Sequence, residues 1–431
     1  MLNKEQNKAA KFSEGISVVI AGAGSGKTKT LVKRIENTLR EGRVKPEEIL
    51  ILTFSRKAAE EIRERSGKEI DDAHKITAGT FHSLCYRILS ENPKLLSEHF
   101  GIEKFSVMSE DDEEKLLSEM VASKIDNFMG LSNKTVLYLL KNLHRLDESR
   151  IKTLTDIGIT RELESVKTDF ENYKKERSLL TFSDLIFCAN SILTDNPDFR
   201  ETMRKRFKYI FVDEFQDTSD DNFLLLKNLL PDDKPNLFAV GDDWQSIYGF
   251  RDANIDYMIR PHKYFRSVSK YFLTVNYRSR REIIRISERA IKRNKNRSRK
   301  KIKSASGAGG EITFMQYSSW KDEIELIKQI LSQSVAGTNC VLYRNNYYGD
   351  RIKKEICDCG VSFSTIHGAK GLEYDNVILC GVEDGIFPCA FNSLEEERRL
   401  LYVALSRAKE KLFVLYKKTE SIEPLFIREI T

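Results

Sequence analysis

The segment VVIAGAGSGKTKTLVKRI, residues 18–35, sets a glycine-rich turn between a β-branched run and a helical pattern. In such a context successive backbone N–H groups, from Gly22 through Ala23, Gly24, Ser25 and Gly26 to Lys27, form an anion nest at a helix N-terminus. Lys27 then reaches the β- and γ-phosphates of a nucleotide, Thr28 offers its hydroxyl to Mg²⁺, and Thr30 completes the nucleotide-binding set. The first position of the usual G-x-x-x-x-G-K-T spacing is Ala21, a mild departure. The plainer alternative is a glycine turn before a helix with no ligand.

Phosphate chemistry needs a carboxylate for the metal and a base for the attacking water. YIFVDEFQDTS, residues 209–219, places both at the end of an apolar run. Asp213 is assigned to the Mg²⁺ shell and Glu214 to the water; the alternative is a solvated turn. NYRSRREI and YVALSRAKEKL each show an arginine, Arg278 and Arg407, near the start of a predicted helix far downstream. An arginine delivered from another domain stabilises transition-state charge and ties hydrolysis to the way two domains meet. Taken singly, each reads more readily as a surface residue than as a phosphate ligand.

A third stretch, GDDWQSIYGFRDA at 241–253, crowds Trp244, Tyr248 and Phe250 beside Gln245 and Arg251. Rings exposed next to phosphate-seeking groups make sense where a stacking surface and a phosphate site must sense each other. Base stacking contributes about 1–3 kcal/mol per base and tolerates any sequence. Core packing is the competing reading for Phe250, and more so for Trp244, nearest the strand.

The elements that must position these groups alternate short β-branched runs with helical patterns, the signature of parallel sheets covered by helices. The predicted strands are ISVVIAG, EILILTF, KYIFVDE, NLFAVGD, YFLTV, EITFMQY, NCVLYR and NVILCGV. From about Glu91 to Arg177 the pattern turns to long charged amphipathic stretches, a helical insertion in an α/β domain. SASGAGGE near 304–311 reads as a loop or hinge, and no internal repeat stands out.

At 431 residues, with 40% hydrophobic and 32% charged, the chain reads as a globular protein of two or three domains. No apolar run approaches the ~20 residues of a membrane helix, and MLNKEQNKAAKF has no apolar signal core, so export is not expected. Seven scattered cysteines read as reduced thiols rather than a zinc framework. Net charge is +6, but Arg278–Lys303 alone carries 13 Lys or Arg against two Glu. That run is either a solvated face or the footprint of a polyanion.

With these pieces in order, the chain resembles the UvrD/Rep-like helicases of superfamily 1. The blocks LNKEQNKAA, AGAGSGKT, ILTFSRKAAEEIRER, TAGTFHSL, VDEFQDTS, AVGDDWQSIYGF, LTVNYRS, STIHGAKGLEYDNVIL and RRLLYVALSRAKEKL occur in the family's order. GDDWQSIY and FSRKAAEEIRER look closest to the DNA helicase IV branch. The resemblance implies two RecA-like, doubly wound P-loop domains, the first at 1–85 and 184–268 with the helical insertion at 86–183, the second at 269–431. It implies that Gln6 reads adenine, Tyr277 stacks on it, and Glu373 meets the ribose. Gln245, Arg278 and Arg407 would sense the γ-phosphate, and Phe54, His82, Tyr248, Phe250 and Arg344 would line a single-strand track.

The implied activity is ATP- and Mg²⁺-dependent 3′-to-5′ movement on single-stranded DNA with unwinding at single-strand/duplex junctions. The setting is a monomer in the cytoplasm of a prokaryotic or phage-infected cell, working with repair or replication proteins and not on a membrane. The alternative is a DNA-stimulated ATPase that strips or recruits proteins without processive unwinding. A nuclease is not expected, since only LYKKTESIEPLFIREIT follows the motor blocks. Stacking and phosphate contacts do not by themselves separate DNA from RNA. Only YYGDRIKKEICDCGVSF separates VLYRNN from STIHGAKG, where the better-known relatives insert a large domain. It is predicted to form one short helix capped at Gly360, and Lys300, Lys301 and Lys303 of the basic run are read as substitute DNA contacts.

Overall fold

The computed structural model describes residues 1–67, 72–124, 140, 160–333, 337–356, 360–389, 393–419 and 422–431, with backbone alone at Thr160 and Phe250. It divides into two compact units, one comprising Met1–Gly79, Met203–Phe223 and Leu229–Thr431, the other Thr80–Thr202 and Leu224–Asn228.

The larger unit holds two sheets. In the first, β1 (Ile16–Ala21), β2 (Ile49–Thr53) and β3 (Thr77–Thr80) are joined by strands further along the chain. The smaller unit intervenes with β4 (Ser106–Val107) and β5 (Leu179–Leu180), after which β6 (Tyr209–Val212), β7 (Leu237–Gly241) and β8 (Val268–Leu273) complete the order β3-β2-β6-β7-β1-β8. Every pairing from β2 through β8 is parallel. All residues of β1, β2, β6 and β7 are buried, as expected when helices cover both faces and the strand reads as an unbroken apolar run. Parallel strands place their C-terminal ends along one edge. The turn after Ala21, the pair after Val212 and the segment after Gly241 therefore emerge side by side.

A short parallel pair, β9 (Val275–Asn276) with β10 (Lys303–Ser304), leads into the second sheet. That sheet is built of β11 (Glu311–Tyr317), β12 (Asn339–Tyr343), β13 (Ser362–Thr365), β14 (Tyr374–Val382) and β15 (Ala408–Lys417), ordered β11-β15-β14-β12-β13 and parallel throughout. Helices Arg281–Lys292 and Leu394–Leu405 pack against it through Ile283, Ile286, Leu400 and Ala404. A small apolar seam, Ala23 and Trp244 with Ile284, Ile291, Ile302 and Tyr402, joins the two lobes.

Among its described residues the smaller unit is largely helical, with the β4–β5 pair and a core of Leu117, Val121, Leu163, Val166 and Phe170. Its helix Phe182–Asp195 starts on a reciprocal cap: the Thr181 hydroxyl accepts from Asp184 N–H at 3.2 Å while the Asp184 carboxylate accepts from Thr181 N–H at 2.8 Å.

Several sequence expectations need correction. β8 hydrogen-bonds to β1, so the first lobe runs to Leu273 and not to 268. The helical unit takes in Thr80–Thr202 and Leu224–Asn228, more than the expected 86–183. Arg407 does not open a helix; it follows Leu394–Leu405 and immediately precedes β15. That strand escaped notice because its Lys/Glu alternation looks helical, while in the sheet Lys409 and Lys411 turn outward to Glu373 and Glu311. The short helix after β12, Asn346–Glu355, closes at Ile356 in extended backbone, so Gly360 is not its cap. Cys357 and Cys359 lie outside the described residues.

Leu379 is fully buried in β14, flanked by β12 and β15. Leu379→Ala is expected to destabilise the chain by about 2–5 kcal/mol, read from the urea midpoint at constant slope.

Candidate active site

The phosphate loop is shaped by two left-handed glycines. Gly24 has φ +63° and Gly26, which precedes helix Lys27–Arg40, has φ +79°, conformations that cost any other L-residue energy. Side chains from distant segments hold it. Gln6, buried on helix Lys4–Ala10, donates from Nε2 to Ser25 O at 2.9 Å. Ala23 N–H donates to the Tyr402 hydroxyl at 3.3 Å, and Tyr277 N–H to Gly24 O at 2.9 Å. Gly22 N–H reaches Leu273 O at 3.0 Å, Ser25 Oγ returns to Gly22 O at 2.8 Å, and Thr30 Oγ1 to Gly26 O at 2.9 Å. Thr28 is half-buried on the first helical turn.

Asp213 and Glu214 follow β6 directly, as the apolar-run-then-acid pattern requires. Glu214 takes a left-handed backbone at φ 51°, unusual for a non-glycine residue and common where function over-determines geometry. Its carboxylate lies 3.6 Å from Lys27 Nζ and accepts from Gln216 Nε2 at 2.6 Å. Burial raises the affinity of both acids for a proton, but the outcomes diverge. Asp213 is pushed well up by burial and by the charge of Glu214; for Glu214, Lys27 and Lys370 outweigh burial and hold it below the usual carboxylate range. A buried carboxylate held toward its neutral form, as Asp213 is, suits a hard divalent cation that would relieve its repulsion with half-buried Glu214. Among the described residues no group of three or more His, Cys, Asp or Glu forms a metal cluster. Mg²⁺ typically takes one or two carboxylates and fills its shell with water and phosphate oxygens.

From the second lobe comes Arg407, 1% exposed. It donates to Val403 O at 3.0 Å, Leu372 O at 2.9 Å, Ser406 Oγ at 3.0 Å and Gln245 Oε1 at 3.2 Å. All these acceptors are neutral, and no ion pair of Arg407 occurs among the described residues. Burial, and then Arg278, pull its pKa down to about 9. Arg278 donates to Glu373 at 2.8 Å and to Ser406 O at 3.2 Å. Glu373 also meets Lys409 at 3.1 Å. Two guanidiniums, one without a carboxylate, thus converge beside an anion nest.

The aromatic stretch divides. Trp244 is not exposed: it is buried edge-on to Tyr402 at 5.4 Å and donates from Nε1 to Ser298 O at 3.2 Å. Tyr248 stacks on half-exposed Phe54, centroids 4.5 Å apart and planes at 19°. The side chain of Phe250 lies outside the described residues. Tyr277 is exposed, with its hydroxyl accepting from Asn3 Nδ2 at 2.8 Å. Arg344, at the end of β12, is paired with Glu397 at 2.7 Å. His82 belongs to the helical unit, where it sits edge-on to Phe182 at 5.3 Å.

Sequence reasoning passed over Lys370, within the quoted GAKG. Its ammonium pairs with buried Asp217, donates to Gln245 O at 3.0 Å and lies 4.6 Å from the Tyr248 ring centre. It also misjudged Lys300. That side chain is wholly buried between Asp242 at 2.5 Å and Asp243 at 2.7 Å, so it offers no surface to DNA. Ile302, the sole apolar residue in 292–303, is buried in the same cluster as Trp244.

The N-terminal UvrD/REP helicase domain matches residues 2–266, and the UvrD-like helicase C-terminal domain matches 271–364 and 360–419. The chain belongs to the UvrD/Rep helicase family. Its two parallel sheets are the RecA-like lobes of that family. The ATP-dependent DNA helicase PcrA of Staphylococcus aureus strain NCTC 8325 is 31% identical over 382 residues, covering 86% of this chain and 51% of that protein. The Staphylococcus epidermidis ATCC 12228 PcrA is also 31% identical, over 388 residues, with the same coverage. The chain therefore spans about half the length of the curated relatives it matches.

His367, on the turn after β13, faces Tyr248 at 6.2 Å between ring centres. Burial, then Arg344, lower its pKa to about 4 from an ordinary 6.5. Between those values the unfolded chain binds a proton that the folded chain refuses, so stability falls as pH drops from 6.5 toward 4. His367→Asn is expected to show a shallower fall than wild type across that window in urea midpoints.

Proposed function

We propose that the chain hydrolyses ATP and uses the cycle to move 3′ to 5′ along single-stranded DNA, opening duplex at junctions. The observation that carries this reading is the position of Gln245. Its Oε1 accepts from the carboxylate-free Arg407, and three residues later Tyr248 forms a stack with Phe54. A γ-phosphate arriving among Lys27, Arg278 and Arg407 would be felt by the same short segment that carries the ring. Names such as ATP-dependent DNA helicase among the relatives support the substrate assignment.

In this reading Lys27 and the N–H groups of Gly24, Gly26 and Lys27 hold the phosphates, those of Gly22, Ala23 and Ser25 being engaged within the protein, and Glu214, kept ionised by Lys27 and Lys370, takes the proton of the attacking water. Thr28 and Asp213 would hold Mg²⁺, which supplies charge neutralisation at the phosphates. Arg278 and Arg407 stabilise the charge of the transferring phosphoryl group, with Gln245 beside them. Gln6 retains one amide N–H and one lone pair for adenine, Tyr277 is free to stack on it, and Glu373 faces the ribose. Phe54, Tyr248, Phe250 and Arg344 form the track, and His82, on the helical unit, is a separate contact to DNA. The working form is a cytoplasmic monomer engaged in repair or replication.

A second reading, stripping or recruiting proteins on single strands, is favoured by one observation. β12 and β13 are joined by residues 344–361 alone, leaving no room there for the large domain of the better-known relatives. Displacement of streptavidin from a biotinylated DNA end without strand separation would select it.

Single-stranded DNA is expected to stimulate ATP turnover well above single-stranded RNA or blunt duplex; equal or absent stimulation would overturn the coupling. Lys27→Ala and Glu214→Gln should each lower turnover by about 10²-fold or more. Only Glu214→Gln should keep tight binding of a fluorescent ATP analogue, and equal loss in both would reassign the base.

A further inference from the structure

Lys300 lies at the tail of the basic run, yet its ammonium has no exposed surface. It donates to Ala21 O at 2.6 Å, the last carbonyl before the phosphate loop, and to Asp242 Oδ1 at 2.5 Å and Asp243 Oδ1 at 2.7 Å. The Trp244 ring centre lies 4.6 Å away. Its neighbours complete a strap. Ser298 donates from N and Oγ to Asp243 at 2.6 and 2.7 Å, and Trp244 Nε1 donates back to Ser298 O. The segment 298–300, arriving from the second lobe's helix Arg281–Lys292, is thus fastened to the ends of both β1 and β7.

The consequence falls on Gln245. Asp242 uses its other oxygen, Oδ2, to accept from Gln245 Nε2 at 2.6 Å. A salt-bridged carboxylate has only acceptors, so it can face the amide N–H₂ and not the amide oxygen. With the N–H₂ committed, Gln245 Oε1 must face the opposite way, where it accepts from Arg407 at 3.2 Å. Without a cation at position 300, Asp242 and Asp243 would be two buried carboxylates in sequence, and the cheapest relief is a proton on one of them. A protonated Asp242 donates, and the amide loses its reason to hold one orientation.

We propose that Lys300 is a positioning residue for ATP hydrolysis: by pairing with Asp242 it fixes the Gln245 amide with its oxygen toward Arg407, and through Ala21 it locks that arrangement to the phosphate loop. The inference rests on the ATPase reading above. Lys300 touches neither nucleotide nor DNA in this scheme and acts through Gln245.

The test is a double-mutant cycle on the full chain, reading kcat and KM for ATP with saturating single-stranded DNA. Lys300→Met should lower kcat about tenfold with KM changed less than about threefold. In a Gln245→Ala background the same substitution should change kcat less than about twofold, because residues acting through one another are non-additive. Equal losses in both backgrounds, or wild-type kcat in Lys300→Met, would overturn the proposal. Where Lys300→Met does not fold, Asp242→Asn keeps Lys300 paired with Asp243 and lets residue 242 offer its own N–H₂. It should reproduce the loss of kcat, and wild-type turnover in it would overturn the proposal. A wild-type chain that never turns over ATP would overturn the ATPase reading and this inference with it, whereas wild-type turnover with an additive cycle overturns this inference alone.

Discussion

Burying a guanidinium costs several kcal/mol unless its charge is met, and Arg407 is buried with carbonyls, a hydroxyl and one side-chain amide for company. Arg278 adds a second positive charge nearby and spends much of it on Glu373. Positive charge left over in this way is tolerable where an anion comes to stay for part of a cycle. The rest of the larger unit follows from it. The left-handed loop, Lys27, the paired acids after β6 and the strap that holds β7 all stand along one edge of the first sheet, facing what the second lobe brings.

Charge placement also explains why the acids after β6 differ. Asp213 and Glu214 are neighbours in sequence, the first buried and the second half-buried, and Lys27 and Lys370 act on Glu214 more than on its neighbour. One acid is left short of a cation and the other is oversupplied. A pair of titratable groups driven apart by its surroundings can divide labour between binding a metal and accepting a proton.

How much of this was readable in the chain depends on distance along it. The strand, glycine turn and helix at 16–40 are adjacent residues with local propensities, so their pattern survives in one dimension, as do the acids at the end of an apolar run. The meeting of Arg407 with Gln245 spans 162 positions and is set by which strands neighbour which, information that hydropathy does not carry. Lys300 misled for a related reason: a count of charges is blind to a lysine wholly enclosed by two aspartates, and Arg278 and Arg280 of the same run are already paired with Glu373 and Glu410. Trp244 likewise sits in a stretch whose composition reads as surface, while its neighbours Tyr402 and Ile302 lie far along the chain. β15 was hidden by a Lys/Glu alternation that serves a strand as well as a helix.

Gly24 has one more implication. A Cβ there would stand 2.6 Å from the Cβ of Arg278 and 3.0 Å from Asn276 Oδ1, quite apart from its φ of +63°. The neighbouring atoms belong to the segment that starts the second lobe, so the glycine sets how closely that lobe can approach before any ligand is considered. A side chain at Gly24 would therefore disturb the loop and the spacing of the two lobes at once.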